Sequence, residues 1–338
     1  MNLFDVTVIV PTHGRATKLT RCLSSLTRQK LPPGVRLECI VAIDGGVESR
    51  FEQPRELPAE TLVLQLPRIG AAAARNAALR KSRGRIVIFT NDDTYAHCDW
   101  VKEHLAAHEI IGRPGMVLGE TRWMDWPDAN VMDGLVRDTS MIFFYDRLES
   151  GRSYGFRQFW TCNASAPRDM IDAVGGFEER LRPYLFEDIE LAFRIEQSTG
   201  CGVYYHSAAA NVHDHRVTWA DYCHREACLG RMAGRLGAVN PACFESLYGC
   251  RDVRALVATY REWLQLDVGD HDAIRQFMEA WAERPLSSVE DWPNTCELLY
   301  RAHLPLKRRM FRAAFVDASH SADDSHWQER IAMQTVSI

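Results

Sequence analysis

Long apolar runs are missing from this 338-residue chain: none approaches the ~20 residues that a membrane-spanning helix needs. The first residues also lack a charged-then-apolar leader pattern. The expectation is a soluble, cytoplasmic protein, at most peripheral at the inner face of a membrane. Paired cysteines are lacking too. Of ten cysteines no two are spaced CxxC, and several sit inside apolar runs, as small buried hydrophobes do in a reducing compartment. Nor is there an excess of one charge: 40 Lys and Arg face 45 Asp and Glu, a net −5, which argues against a general nucleic-acid binder. Repeats and low-complexity segments are absent, which excludes a solenoid or a fibre. What remains is an ordinary globular composition, 46% hydrophobic and 25% charged, long enough for one large domain with an appendage or for two domains.

The first half alternates apolar, β-branched runs with helical patterns, which predicts an α/β domain with a mostly parallel sheet flanked by helices. Candidate strands are "VTVIV" (6–10), "LECIVAI" (37–43), "TLVLQL" (61–66) and "RIVIF" (85–89). Candidate helices are 16–30, 71–83, a segment around 99–112 and 187–199, the last closed by Gly200. The strand-end loops read "PTHGR" (11–15), "DGG" (44–46), "PRIG" (67–70) and "TNDDT" (90–94). Ligands of doubly wound sheets bind outside the carboxyl ends of the strands, so these loops should converge and bring Asp44 near Asp92 and Asp93. After about residue 238 the chain reads as helical, with Trp263, Trp281, Trp292 and Trp327. The expected division is a catalytic domain over 1–237 and a helical C-terminal extension over 238–338.

Adjacent carboxylates repel, so Asp92 and Asp93 need a cation, a proton or solvent. They suit a Mg2+ or Mn2+ site on a diphosphate, or else the cap of a helix beginning near 94–100. Glu187 and Asp188 open a helix, either as a base in a cleft or as ordinary first-turn acids. His213 and His215 follow a strand-like run and share a side, with Asp214 opposite. Imidazoles beside carboxylates suit Mn2+ or Fe2+ better than Mg2+. Cys223, His224 and Cys228 fit no common zinc module. In "LPLKRRMFRAAF" (304–315) basic and apolar residues interleave: a helix resting on an anionic membrane, or one packing its apolar side on the protein. Trp123, Trp126, Phe159 and Trp160 are candidates to stack on a sugar ring or to fill a core.

Five stretches in order resemble glycosyltransferase family 2: "VTVIVPTHGR", "LECIVAIDGG", "RIGAAAARNAAL", "IFTNDDT" and "GGFEERLRPYLFEDIELAFR". The likeness spans about residues 5–220 and implies the GT-A fold, with inverting, metal-dependent transfer of a sugar from a nucleotide-sugar, UDP-sugar favoured, to a carbohydrate or glycolipid hydroxyl. It implies that Pro11, Thr12 and Arg15 line the nucleoside pocket and that Asp44 accepts the N3–H of the base. Asp93 is then the ligand of Mn2+ or Mg2+, with Asp92 nearer the sugar or ribose, Asn91, itself a departure from the pattern, among the donor-binding candidates, and His213 reaching the metal or diphosphate. Arg68 or Arg75 faces the nucleotide, Asp188 is the general base and Glu187 helps to place acceptor or sugar. The chain departs from the pattern at His13, Gly14 and Ile43. A sugar-1-phosphate nucleotidyltransferase should open with a Gly-rich loop, whereas "PTHGRATKL" has one Gly; a scaffold without catalysis is the third reading.

Overall fold

The structure, a computed structural model, describes residues 4–45, 57–58, 60–112, 114–182 and 184–320. Gly46 and Trp327 lie outside the described residues. The chain forms two compact units, Met1–Met124 with Arg147–His215, and Asp125–Asp146 with Arg216–Ile338.

The first unit holds strands β1 (Phe4–Thr12), β2 (Leu37–Asp44), β3 (Thr61–Leu66), β4 (Gly84–Thr90), β5 (Thr94–Ala96), β6 (Met116–Trp123), β7 (Ser153–Tyr154), β8 (Asn163–Pro167) and β9 (Val203–His213). They make one sheet in the order β3-β2-β1-β4-β8-β6-β9-β5, with β7 on β9. The β3-β2-β1-β4 half is parallel, as the alternation of strand and helix patterns predicts. β8 runs antiparallel to both β4 and β6. Its sequence, "NASAP", contains no β-branched residue, so the pairing of its neighbours rather than propensity makes it a strand.

Helices α1 (Ala16–Thr27), α2 (Ala71–Lys81) and α3 (Trp100–Ile111) precede β6 in the chain. Val6, Val8 and Val10 of β1 share a buried cluster with Leu19, Leu23 and Leu26 of α1, and so the strand is apolar on both faces. In α2 every residue from Ala72 to Leu79 is buried, mostly alanine, which lets the helix lie close to the sheet. Opposite β6 the strand β9 bulges: Gly119 pairs with His206, but Thr121 pairs with Asn211. The extra residues re-aim the end of β9, bringing His213 opposite Trp123 on one side and Thr94 on the other.

Within the second unit lie α4 (Val131–Asp138), α7 (Trp219–Val239), α8 (Pro241–Tyr248), α9 (Val253–Leu266), α10 (His271–Ala282) and α11 (Trp292–His320). The first unit is completed by α5 (Arg168–Ala173) and α6 (Glu187–Thr199). The segment 304–315 lies in α11. Leu306 and Phe315 are buried there, Lys307 approaches Glu226 at 3.8 Å, Arg309 pairs with Asp267 at 3.2 Å and Arg312 stacks on Trp263 at 3.9 Å. Packing on the protein thus uses the apolar side of this segment. Among the described residues no helix is long and apolar enough to cross a membrane.

Candidate active site

Residues 92 and 93 form a tight turn between β4 and β5. Neither caps a helix, because α3 begins only at Trp100, after Asp99. Both acids are buried, at 3% and 2% exposure, by the fully apolar run that leads into them. The Thr12 hydroxyl donates to Asp92 Oδ2 at 2.6 Å, and the Arg15 guanidinium bonds Asp93 and lies 3.7 Å from Asp92. His213 Nε2 lies 3.2 Å from Asp93 Oδ1 and His215 Nδ1 lies 3.2 Å from Oδ2, the two rings stacked 5.4 Å apart. Burial alone raises both acids. For Asp93 the charges and hydrogen bonds of His213, His215 and Arg15 win, holding it well below the usual carboxylate range. For Asp92 burial and its charged neighbour Asp93 win over Arg15 and Thr12, and its pKa is raised.

These residues fit a divalent cation. Asp93, His213 and His215 each offer one ligand atom, all within 4.8 Å of one another. Asp93 Oδ1 is buried with a single near neighbour, His213 Nε2 at 3.2 Å, so its remaining lone pair and that imidazole face one another as two ligands of one ion would. One carboxylate with two imidazoles suits Mn2+ or Fe2+ better than Mg2+.

The side chains that hold this cluster were missed in the sequence, since they are remote from one another along the chain. Asp214, on the opposite side of the strand end as alternation requires, accepts from the Tyr95 hydroxyl and lies 3.6 Å from Arg21. Its amide donates to the Asp93 carbonyl at 2.8 Å, and its own carbonyl accepts from Lys18. The row Arg15, Lys18 and Arg21 was legible as one face of α1, but its partners were not.

Asp44 is differently engaged from the expectation that it would meet the acidic pair. Its two carboxylate oxygens accept the amides of Ile69 and Gly70 at 2.6 and 2.9 Å, anchoring the entry to α2, while its carbonyl lies 2.5 Å from His13 Nδ1. Pro11 and Asn91 are half-buried and Thr12 is buried; Arg68 is exposed. The Asn91 carbonyl accepts from Thr94 Oγ1 at 2.8 Å and so shapes the turn. Phe159 and Trp160 belong to the core rather than to a sugar platform, and Trp123 packs on His213 at 4.9 Å.

Arg75, one of two arginine candidates to face the nucleotide, has an acidic partner within the protein. It is buried, bonded to Glu187 at 2.9 Å, with its guanidinium 5.6 Å from the Phe177 ring. Asp188 is half-buried and accepts the amides of Ile189 at 2.8 Å and Thr161 at 3.4 Å. Burial, then the charge of Glu187, pushes its carboxyl up to about 7, against the pull of Arg75. A group poised near neutrality can take a proton from an alcohol and release it again. The backbone entering α6 is strained: Leu185 and Phe186 have φ of 79° and 68°, left-handed values that cost a side-chain-bearing residue roughly 1–3 kcal/mol. No sequence signal announced that turn, because neither residue is Gly or Asn.

Arg75→Met should destabilise the protein by about 3–5 kcal/mol in urea titrations, because it leaves Glu187 buried and unpaired. Adding Glu187→Leu should restore most of that loss. A double variant no more stable than Arg75→Met alone contradicts this account of the pair.

Residues 7–164 match the model of Glycosyl transferase family 2. Over 255 residues the chain is 28% identical to the pre-mycofactocin glycosyltransferase of Mycobacterium tuberculosis, covering 70% of this chain and 48% of that protein. Over 215 residues it is 26% identical to the validoxylamine A glucosyltransferase of Streptomyces hygroscopicus subsp. limoneus, covering 56% and 47%. The chain spans about half the length of these curated relatives. Its fold is similar to that of a mannosyltransferase from Pyrobaculum calidifontis solved with GDP-Man and Mn2+, with a TM-score of 0.58 and 18% identity over 97% of this chain and 89% of that one. TarS from S. aureus, solved with UDP, gives a TM-score of 0.50 and 16% identity over 96% and 92%. The mixed sheet and the acidic turn after β4 lie with this match, and residues 7–164 of the chain carry the glycosyltransferase family 2 pattern.

Proposed function

We propose that this protein is an inverting hexosyltransferase that moves a sugar from a nucleoside-diphosphate donor, UDP-sugar first, to a hydroxyl of a carbohydrate or glycolipid acceptor in glycan or glycoconjugate biosynthesis. The observation that carries the reading is the pairing of two unlike acids in one unit. Asp93 is ionised and flanked by two imidazoles, while Asp188 titrates near neutrality. A divalent cation bound by Asp93, His213 and His215 would supply Lewis-acid neutralisation of the leaving diphosphate.

In this reading Asp44, fixed by the Ile69 and Gly70 amides, keeps a lone pair on each oxygen for the N3–H of a pyrimidine. Thr12 and Arg15 hold Asp92 in place, and Arg15 can exchange its carboxylate partners for phosphate oxygens. Asp188 takes the proton of the acceptor hydroxyl as it attacks the anomeric carbon from the face opposite the diphosphate. One displacement inverts the configuration, so no sugar-enzyme bond is needed.

Calorimetry with UDP, GDP and their sugars, with and without Mn2+, followed by mass spectrometry of products with candidate acceptors, tests the proposal. Saturable, Mn2+-dependent nucleotide binding and a product heavier by one hexose are expected. Nucleotide binding indifferent to Mn2+ would overturn the metal assignment, and preference for GDP would overturn uridine.

A further inference from the structure

The second unit contains a cavity of about 390 Å3 walled by α7, α10 and α11, and built from none of the residues discussed above as the active site. Its floor is apolar, from Ala227, Met310 and Ala314. Its polar lining is Arg231, Arg275, His224 and Cys223, with the exposed carboxylate of Asp317 completing it. Neighbouring arginines of this unit have acidic partners: Arg225 pairs with Glu226 at 3.0 Å and Arg309 with Asp267 at 3.2 Å. Among the described residues, no carboxylate lies within ion-pair distance of Arg231 or Arg275. Arg231 and Arg275 are half-buried and line one concave site, each with part of its guanidinium open to an incoming anion.

The lining is held in position. Arg231 donates to the buried Cys228 sulfur at 3.0 Å, and His224 Nε2 lies 3.3 Å from the same atom. That thiol therefore fixes the guanidinium of Arg231 and the imidazole of His224. Burial pushes the Cys223 thiol up to about 11, aided by Glu279 and Glu226 and opposed by Arg275, so it adds a neutral donor and no charge. Among the lining residues two guanidinium groups, Arg231 held by Cys228 and Arg275 across the site, face one carboxylate, Asp317, with Glu226 and Glu279 set behind Cys223, and planar guanidinium groups suit the oxygens of a phosphoryl group. The volume accommodates a small phosphorylated molecule over the apolar floor.

We propose that this cavity binds a phosphate ester, with its phosphoryl group held by Arg231 and Arg275. The ester is either a soluble metabolite or a lipid headgroup, and the two sources separate in one experiment. Glycerol 3-phosphate is titrated by calorimetry into the whole chain in the presence of a chelator, with Asp93→Ala titrated in parallel to remove the acidic site. Co-sedimentation with phosphatidylcholine vesicles, with and without phosphatidic acid, forms the second arm.

Saturable binding is expected, unchanged in Asp93→Ala and weakened about tenfold or more in Arg231→Gln and in Arg275→Gln. Asp317→Asn should tighten it, since a like charge is removed; loss of folding cannot mimic that gain. Arg275→Gln touches no hydrogen bond to Cys228, and its melting curve should match the parent. Vesicle binding that needs phosphatidic acid and is lost in both arginine variants assigns the headgroup, whereas binding of glycerol 3-phosphate alone assigns a soluble ester. Saturable binding in neither arm, or equal binding in parent and both arginine variants, overturns the proposal.

Discussion

Asp188→Asn is expected to slow sugar transfer by about 10²–10⁴-fold while leaving donor affinity within about a factor of two of the parent. The carboxylate accepts the Ile189 amide on one oxygen and the Thr161 amide on the other, and Asn fills the same volume with its carbonyl on the 2.8 Å Ile189 contact, so it gives up the base and the long 3.4 Å contact to Thr161. Parent kcat should rise with pH through about 7 and then level, because the base works only when ionised. Stability should move the other way. Folding raises the Asp188 pKa, so between the ordinary carboxylate value and about 7 the folded chain binds more protons than the unfolded one. Its stability therefore falls as pH rises through that window. The Asn variant carries no such charge and should be the more stable protein above about pH 7, as urea titrations at about pH 5 and about pH 8.5 would register. Full transfer activity in Asp188→Asn sinks the base assignment.

The second large effect belongs to Asp93→Ala, for which Mn2+ affinity should fall on the order of 100-fold or more, taking metal-dependent nucleotide binding with it. Asp93 supplies the only anionic oxygens among its three proposed ligands, one 3.2 Å from His213 and the other 3.2 Å from His215. Removing it leaves His213 and His215 without an anionic oxygen beside them and Arg15 with Asp92, 3.7 Å away, as its remaining acid, so the ion loses its only charged ligand. Asp93→Asn keeps the shape and should lose nearly as much, which separates charge from packing. Calorimetry that finds parental nucleotide affinity in Asp93→Ala, with and without Mn2+, removes Asp93 from the metal site.

The sequence by itself determined the parallel half of the sheet. β1, β2 and β4 are largely buried apolar runs, and such runs are visible without any partner being known, while β3 at the edge of the sheet is only half-buried. It also determined the order of the chemical loops and the common side of His213 and His215, which follow from strand periodicity. Local pattern could not reveal β8, because "NASAP" becomes a strand only through β4 and β6. Nor could it show that Arg75 of α2 pairs with Glu187, 112 positions away, or that Asp44 anchors the entry to α2. For the acids at 92 and 93 only tertiary structure excluded the helix cap, and the bulge in β9, invisible in local pattern, delivers His213 and His215 beside one of them. Their different protonation, one raised and one lowered, was decided by tertiary structure, because burial and neighbouring charge set a pKa and neither is a property of the local sequence.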